Sequence, residues 1–182
     1  ISETLFSNVR DEYLDEIRHI AGSVPVVTDK MPDNFLWCGF LLEAMPEARI
    51  VHVRRDPVAT CWSLYKRRFQ HFDYSYDLED LGLYYEMYEA LMRFWHEALP
   101  GRIYDLEYET LTEHQERETR KLLEYCDLPW EDTCLEFHKT QRPVQTVSGN
   151  QVRKKMYTGS SEAWRAFEVC LEPLLQTLKA KT

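Results

Sequence analysis

Two periods in the spacing of apolar residues predict most of the secondary structure of this chain. An apolar residue every three or four positions predicts a helix over residues 3–20 and a longer helix from Leu78. Short runs rich in β-branched residues predict strands at 24–28 (VPVVT), 49–53 (RIVHV) and 102–109 (RIYDLEYE). Because strands alternate with helices, the pattern predicts an α/β fold with a parallel sheet and right-handed crossovers.

Further helices are predicted between and after these strands. The segment FLWCGFLLEAM (35–45), capped by Asp33 or Asn34, is apolar nearly all round, so we expect it to be deeply buried. Thr112 and Gln115 have the spacing of a capping box and predict a helix that ends near Cys126. Shorter or later helices are predicted over 132–138 and about 161–180.

The junction between the second predicted strand and the following helix concentrates polar chemistry. Asp56 is a carboxylate N-cap and Pro57 suits the first helical position, so a helix should begin there. Arg55 then lies at the carboxyl end of the strand, where open α/β sheets bind ligands. Ser63 and Arg67 share the polar face of that helix. Two guanidinium groups, a hydroxyl and a helix N-terminus suit a phosphate group, and the alternative is an ordinary solvated surface.

Charge supports a small anionic ligand and argues against general nucleic-acid binding. The 182 residues carry a formal net charge of −9, whereas proteins that bind nucleic acids in general are basic. Basic residues nevertheless cluster at 54–55, 66–68 and 153–155, as a local anion site would need. No run approaches the ~18 apolar residues of a membrane helix, so no membrane segment is predicted.

The cysteines and histidines predict neither a disulfide framework nor a metal site. The five cysteines are scattered and form no C-x-x-C pair, so we expect buried free thiols. The six histidines show no zinc-like spacing with them, and no metal is assigned. Residues 139–160 have no clear period, and long irregular segments inside compact domains tend to be functional or disordered.

Five segments, in this order, resemble the sulfotransferases that use 3′-phosphoadenylyl sulfate. They are TDKMPDNF, ARIVHVRRDPVATCWSLYKRR, YDLEYETL, CDLPWEDTCLEFHKT and VQTVSGNQVRKKMY. Within that family the chain is most similar to tyrosylprotein sulfotransferases and to bacterial sulfotransferases fused to tetratricopeptide repeats. The resemblance covers about residues 24–168. It implies one domain over 1–182 with the P-loop nucleotide-kinase-like fold, a parallel sheet between two helical layers.

The resemblance also implies a role for individual residues in binding the nucleotide. Arg55 and Ser63 match the pair that holds the 3′-phosphate of the cofactor, Arg67 matches a further cofactor-contacting arginine, and Tyr108 a tyrosine near the nucleotide. The stretch 148–157 matches the loop that closes over the cofactor. Its implied cofactor-binding residues are Ser148, Gln151, Val152, Arg153, Lys154, Lys155 and Tyr157.

Two residues are implied to act on the transferring sulfonate. Lys30 in DKMP matches the lysine that reaches this group, and Ser148 matches a hydroxyl that assists it. Sulfuryl transfer needs positioning and charge stabilisation more than covalent work by the protein, as phosphoryl transfer does. An ammonium and a hydroxyl group suit that task.

The chain departs from the family pattern in one respect. The family begins with a P-R-S-G-T-T-like loop that wraps the 5′-phosphosulfate, and none of the six glycines here lies in such a run. We therefore expect an N-terminally truncated domain whose catalytic base lies upstream. A missing strand would leave a sheet edge open, so a homodimer is a further expectation.

Several alternatives stay open. The leading hypothesis is a sulfotransferase that transfers a sulfuryl group to a hydroxyl acceptor, with protein tyrosine, carbohydrate and small alcohol all open as acceptors. The alternative is a non-catalytic or degenerate nucleotide-binding module of the same fold. A nucleotide kinase needs a G-x-x-x-x-G-K-[ST] loop, and the sequence has none. Scattered cysteines favour a bacterial cytoplasm over the Golgi lumen.

Overall fold

The computed structural model describes residues 3–67, 72–139 and 153–179. The described strands are β1 (Ile50–Arg54) and β2 (Ile103–Glu107). The α-helices are α1 (Glu3–Ala21), α2 (Cys38–Ala44), α3 (Pro57–Tyr65), α4 (Leu78–Ala98), α5 (Tyr108–Glu113), α6 (Gln115–Tyr125) and α7 (Glu172–Lys179). Short 3₁₀ helices cover Pro32–Trp37, Asp73–Tyr76, Asp132–Lys139 and Ala163–Leu171.

β1 and β2 pair as neighbouring parallel strands, which confirms the α/β class. The first predicted strand, at 24–28, is wrong, because these residues form no regular secondary structure. Val24 and Val26 are each 53% exposed, and Pro25 has no N–H to donate. A strand forms only where a neighbour completes its hydrogen bonds, and no strand of the described ranges pairs with this segment.

The chain divides into two compact units, of which the first contains residues 1–50 and 90–103. Within it α1 packs against α2, and the rings of Phe6 and Phe40 lie 5.1 Å apart. Trp95 donates its indole N–H to the carbonyl of Phe35 at 2.8 Å. Its ring lies so close to Gly39 that an added Cβ would come within 2.7 Å of it. A glycine is therefore required there by packing.

The helix predicted over 35–45 is only partly buried. It divides into the 3₁₀ turn that ends at Trp37 and α2, and Cys38 and Leu42 of α2 are buried. Leu36 and Trp37 are 44% and 57% exposed, so the expectation of burial all round is wrong. The predicted cap is wrong as well, since Met31 precedes the first turn and makes no side-chain cap.

The second unit contains residues 51–89 and 104–182 and carries the larger apolar core. In it α3 packs against α7 and against the 163–171 helix. Cys61, Leu81 and Leu174 are at most 1% exposed and belong to one cluster beneath α3. The buried face of α3 therefore fixes where its polar face can lie.

A polar bridge also ties β1 to β2 within this unit. The Nδ1 of His52 on β1 lies 2.7 Å from a carboxylate oxygen of Asp105 on β2. Its Nε2 contacts the hydroxyl of Tyr88 on α4. Burial raises the pKa of the Tyr88 hydroxyl to about 12, so it remains protonated at neutral pH.

The predicted C-terminal helices exist with different ends. The segment 161–180 forms a 3₁₀ helix followed by α7 rather than one continuous helix. The helix predicted after Thr112 is α6, which begins at Gln115 without a side-chain cap. Thr112 instead donates its hydroxyl to the carbonyl of Glu109 at 2.8 Å, inside α5. The proposed capping box is therefore wrong, although the helix is right.

All five cysteines are free, as predicted. Cys38 and Cys61 are buried, whereas the other three are half-buried or exposed. Burial raises the pKa of the Cys61 thiol to about 12, so this group is an inert part of the core. No helix in the described ranges combines the length and the apolar composition that crossing a bilayer requires.

Candidate functional site

The β1–α3 junction forms as its sequence predicts. The carboxylate of Asp56 accepts the backbone N–H of Ala59 at 2.7 Å, and Pro57 occupies the first helical position. Because β2 runs parallel to β1, its carboxyl end brings Tyr108 and Glu109 to the same edge of the sheet as Arg55.

Arg55 is held along one edge of its guanidinium group. Its Nε–H donates to the Ser161 hydroxyl at 3.1 Å, and its Nη2 donates to the Ser160 carbonyl at 2.9 Å. The guanidinium carbon lies 5.0 Å from the centre of the Tyr108 ring, in cation–π contact. Nη2 also lies 3.5 Å from the hydroxyl oxygen of Ser160, so the donors that remain are the two N–H groups of Nη1. Nη1 has no hydrogen-bond partner among the described residues.

The serines that accept hydrogen bonds from Arg55 are themselves hydrogen-bonded to Glu109 and Tyr108. One carboxylate oxygen of Glu109 accepts the backbone N–H of Asp56 at 3.1 Å and also the hydroxyl of Ser161. Burial opposes ionisation of Glu109, but these two hydrogen bonds outweigh it and keep its pKa below the usual value. The hydroxyls of Tyr108 and Ser160 lie 3.0 Å apart. The arrangement can therefore present a fixed, charged donor to an anion.

A cavity of about 310 Å³ opens at this end of the strands. Its charged lining comprises Arg54, Arg55, Asp56, Glu89, Glu107 and Glu109, four carboxylates against two guanidinium groups. A phosphate dianion inside it would meet like charges. We therefore assign no phosphate to this cavity and restrict the anion to the unoccupied donors of Arg55.

The other predicted phosphate-binding residues lie on or just beyond α3. Ser63 is half-buried in the second turn, seven residues after Asp56, which puts the two on the same helical face. Arg67 follows the end of α3 and is also half-buried. No hydrogen bond in the described ranges joins Arg55 to Ser63, because Arg55 donates to Ser160 and Ser161 instead.

The remaining predicted residues lie elsewhere or outside the described ranges. Lys30 is exposed in the irregular segment before Pro32 and belongs to the first unit. Four residues of the predicted loop are exposed, namely Arg153, Lys154, Lys155 and Tyr157. Ser148, Gln151 and Val152 lie outside the described residues. Their roles remain predictions.

Sequence reasoning missed Glu109, Ser160 and Ser161. Glu109 had a usable signal, since it follows Tyr108 at the carboxyl end of a strand predicted to be parallel to β1. The two serines had none, because more than a hundred residues separate them from Arg55. Only the packing of the 163–171 helix on α3 brings them close.

Comparison with known proteins identifies the family. A profile described as the sulfotransferase family matches residues 2–132. A protein of Aquifex aeolicus (strain VF5), described as "Uncharacterized protein", is 39% identical over 181 residues, which is 97% of this chain and 24% of that protein. A Caenorhabditis briggsae protein described as "Putative protein-tyrosine sulfotransferase" is 22% identical over 185 residues, or 98% of this chain and 65% of that protein.

The chain belongs to the sulfotransferase family. The described helices and parallel strands fit the α/β class of that family. The chain spans about a quarter of the length of the bacterial relative and 65% of the length of the nematode one.

Proposed function

We propose that this chain binds 3′-phosphoadenylyl sulfate and takes part in transfer of its sulfuryl group to a hydroxyl acceptor. One observation carries the proposal: Arg55 is fixed along one edge, and the two N–H donors of its Nη1 have no partner among the described residues. A planar guanidinium with adjacent free donors matches the oxygens of a phosphate group. The 3′-phosphate is the part of the cofactor that such a fork would bind.

Ser63 and Arg67 complete this phosphate site in the proposal. Ser63 lies on the polar side of α3, which starts beside Arg55, and Arg67 follows the end of this helix, whose N-terminus adds partial positive charge. The ring of Tyr108 stacks against the guanidinium group of Arg55 in cation–π contact. The basic residues of the predicted loop would neutralise the cofactor from their exposed positions.

Lys30 and Ser148 are the proposed residues for the chemical step. Charge develops on the leaving phosphate oxygen as the sulfuryl group moves, so an ammonium and a hydroxyl near that oxygen lower the barrier. Lys30 is exposed and therefore accessible to a ligand. The proposal includes no metal ion.

The fold and assembly that accompany this function are also proposals. We propose one sulfotransferase domain over residues 1–182, built on a nucleotide-kinase-like sheet between two helical layers. A homodimer and a cytoplasmic location belong to the same proposal. The acceptor is a peptide tyrosine, a carbohydrate or a small alcohol.

A second candidate function is nucleotide binding without turnover. It is favoured by the sequence, in which no glycine lies in a P-R-S-G-T-T-like loop that could wrap a 5′-phosphosulfate. The two candidates share the Arg55 site and differ in the chemical step. Release of adenosine 3′,5′-bisphosphate from 3′-phosphoadenylyl sulfate in the presence of hydroxyl acceptors separates them.

Calorimetry with two nucleotides tests the shared part of the proposal. Adenosine 3′,5′-bisphosphate and 5′-AMP differ only in the 3′-phosphate, so the difference in their affinity isolates that group. We expect the bisphosphate to bind at least tenfold more tightly, because it adds charge-assisted hydrogen bonds. Equal affinities would remove the phosphate role from Arg55 and Ser63.

A further inference from the structure

We propose that Glu109 and Ser161 are positioning residues, which hold Arg55 in the orientation that receives the 3′-phosphate. The inference deepens the proposed function and rests on it for the identity of the ligand. Neither residue belongs to the pattern that predicted the site. Their role follows from a short chain of hydrogen bonds that ends on the guanidinium group.

The donor and the acceptor of each hydrogen bond in the series Asp56, Glu109, Ser161 and Arg55 are determined by chemistry. The Ser161 hydroxyl donates to Glu109, because a carboxylate can only accept. Its lone pairs are then turned toward Arg55, whose Nε–H donates to the same oxygen at 3.1 Å. Glu109 is fixed in turn, since the same carboxylate oxygen accepts the backbone N–H of Asp56. The guanidinium group is thus linked through Ser161 and Glu109 to the backbone of Asp56, the N-cap residue of α3.

Burial of Ser161 protects its hydrogen bonds to Arg55 and Glu109 from competition by water. Ser161 is only 6% exposed, so water does not compete freely for its hydroxyl. An exposed arginine loses side-chain freedom when it binds a ligand, and this loss weakens binding. Arg55 is ordered before a ligand arrives, so less freedom is lost at binding. Preorganisation of this kind raises affinity without any contact between Glu109 or Ser161 and the anion.

The charge of Glu109 excludes direct contact with the phosphate. An ionised carboxylate repels a dianion, and the low pKa of Glu109 keeps it ionised at neutral pH. Its useful property is therefore the accepting oxygen and not its charge. A glutamine offers the same Oε1 acceptor without the charge, so Glu109→Gln keeps both hydrogen bonds and Glu109→Ala removes both.

Calorimetry on variants of the chain tests this role. We expect Ser161→Ala and Glu109→Ala each to weaken binding of adenosine 3′,5′-bisphosphate by about tenfold. Binding of 5′-AMP should be unchanged, and Glu109→Gln should retain the preference for the bisphosphate. In an Arg55→Ala background the same changes should have no further effect, because the group they position is gone.

Matched controls exist within the same unit. Ser75 is fully buried, and its hydroxyl has no partner in the described ranges, so Ser75→Ala removes a buried serine without this network. Glu118 is 8% exposed and pairs with Arg117 and Lys121, so Glu118→Ala removes a buried glutamate. Both controls should keep the full preference for the bisphosphate. Equal losses in the controls, or equal losses for both nucleotides, overturn the positioning role.

A measurement without ligand separates this inference from the proposed function. The Nε–H of Arg55, assigned in ¹⁵N spectra by its loss in Arg55→Lys, should exchange slowly with water while Ser161 holds it. Ser161→Ala should speed this exchange, and Ser75→Ala should not. Unchanged exchange in Ser161→Ala contradicts the positioning role. If exchange responds but the two nucleotides bind equally, the positioning stands and the 3′-phosphate assignment fails.

Discussion

The β1–α3 junction and the segment 24–31 are both irregular connections, yet they are held in different ways. At the junction, Arg55 hydrogen-bonds to Ser160 and Ser161, and the backbone N–H of Asp56 donates to Glu109, so both residues are tied to groups distant in sequence. In segment 24–31, Tyr13 donates its hydroxyl to Asp29 at 2.8 Å, and the Met31 carbonyl accepts the backbone N–H of the nearby Asn34 at 3.1 Å. The junction is anchored on a buried core, whereas the valines of the segment are exposed.

The difference shows what makes a connection suitable for ligand binding. A phosphate site needs donors fixed before the ligand arrives, and only buried neighbours can fix them. The junction meets this condition through Ser161 and Glu109. The predicted catalytic residue Lys30 lies in the exposed segment, so ligand contacts would have to order it. Three sets of variants test this contrast.

The largest effect should come from the core beneath the junction. Leu174 is completely buried against Cys61 and Leu81, and Leu174→Ala should cost about 2–5 kcal/mol of unfolding free energy. Val26→Ala in the exposed segment should change it by less than about 0.5 kcal/mol. Urea denaturation of both variants measures this difference. Similar losses would mean that the segment is as firmly packed as the junction.

A smaller effect is expected from the cap of α3. Asp56→Ala removes the acceptor of the Ala59 N–H and should cost about 1 kcal/mol of unfolding free energy. Asp33→Ala is the matched control, because Asp33 lies in the first turn of a helix that has no side-chain cap. Its effect should stay below about 0.5 kcal/mol. Equal effects in urea denaturation would remove the cap from the account of the junction.

The contrast between the junction and the segment 24–31 also explains which parts of the fold are predictable from the sequence. The features of the junction are local: a β-branched run, then Asp56 and Pro57, dictate a strand end and a helix start within eight residues. The segment 24–28 has a β-branched run too, but a strand needs a partner that its own sequence does not specify. Local pattern therefore predicts the strand at 49–53 to within one residue of its observed bounds, Ile50–Arg54, and predicts 24–28 wrongly.

The same limit applies to the candidate site. Arg55 is predictable because it lies at a recognisable strand end, whereas Tyr108 is predictable only through the family resemblance. Ser160 and Ser161 contact Arg55 across more than a hundred residues, through the packing of helices whose partners no local pattern names. The residues proposed to bind a ligand are thus accessible from the sequence, whereas the residues proposed to orient them require the structure.

The most direct test of the central claim compares two adjacent arginines. The Nη1 of Arg55 has no hydrogen-bond partner in the described part of the chain, whereas Arg54 is half exposed and pairs with Glu107 at 3.2 Å. Arg55→Ala should abolish the preference for adenosine 3′,5′-bisphosphate over 5′-AMP, a loss of about 10–100-fold, and Arg54→Ala should retain it within about threefold. A preference that survives Arg55→Ala, or that both variants lose equally, would contradict the assignment of Arg55 to the 3′-phosphate.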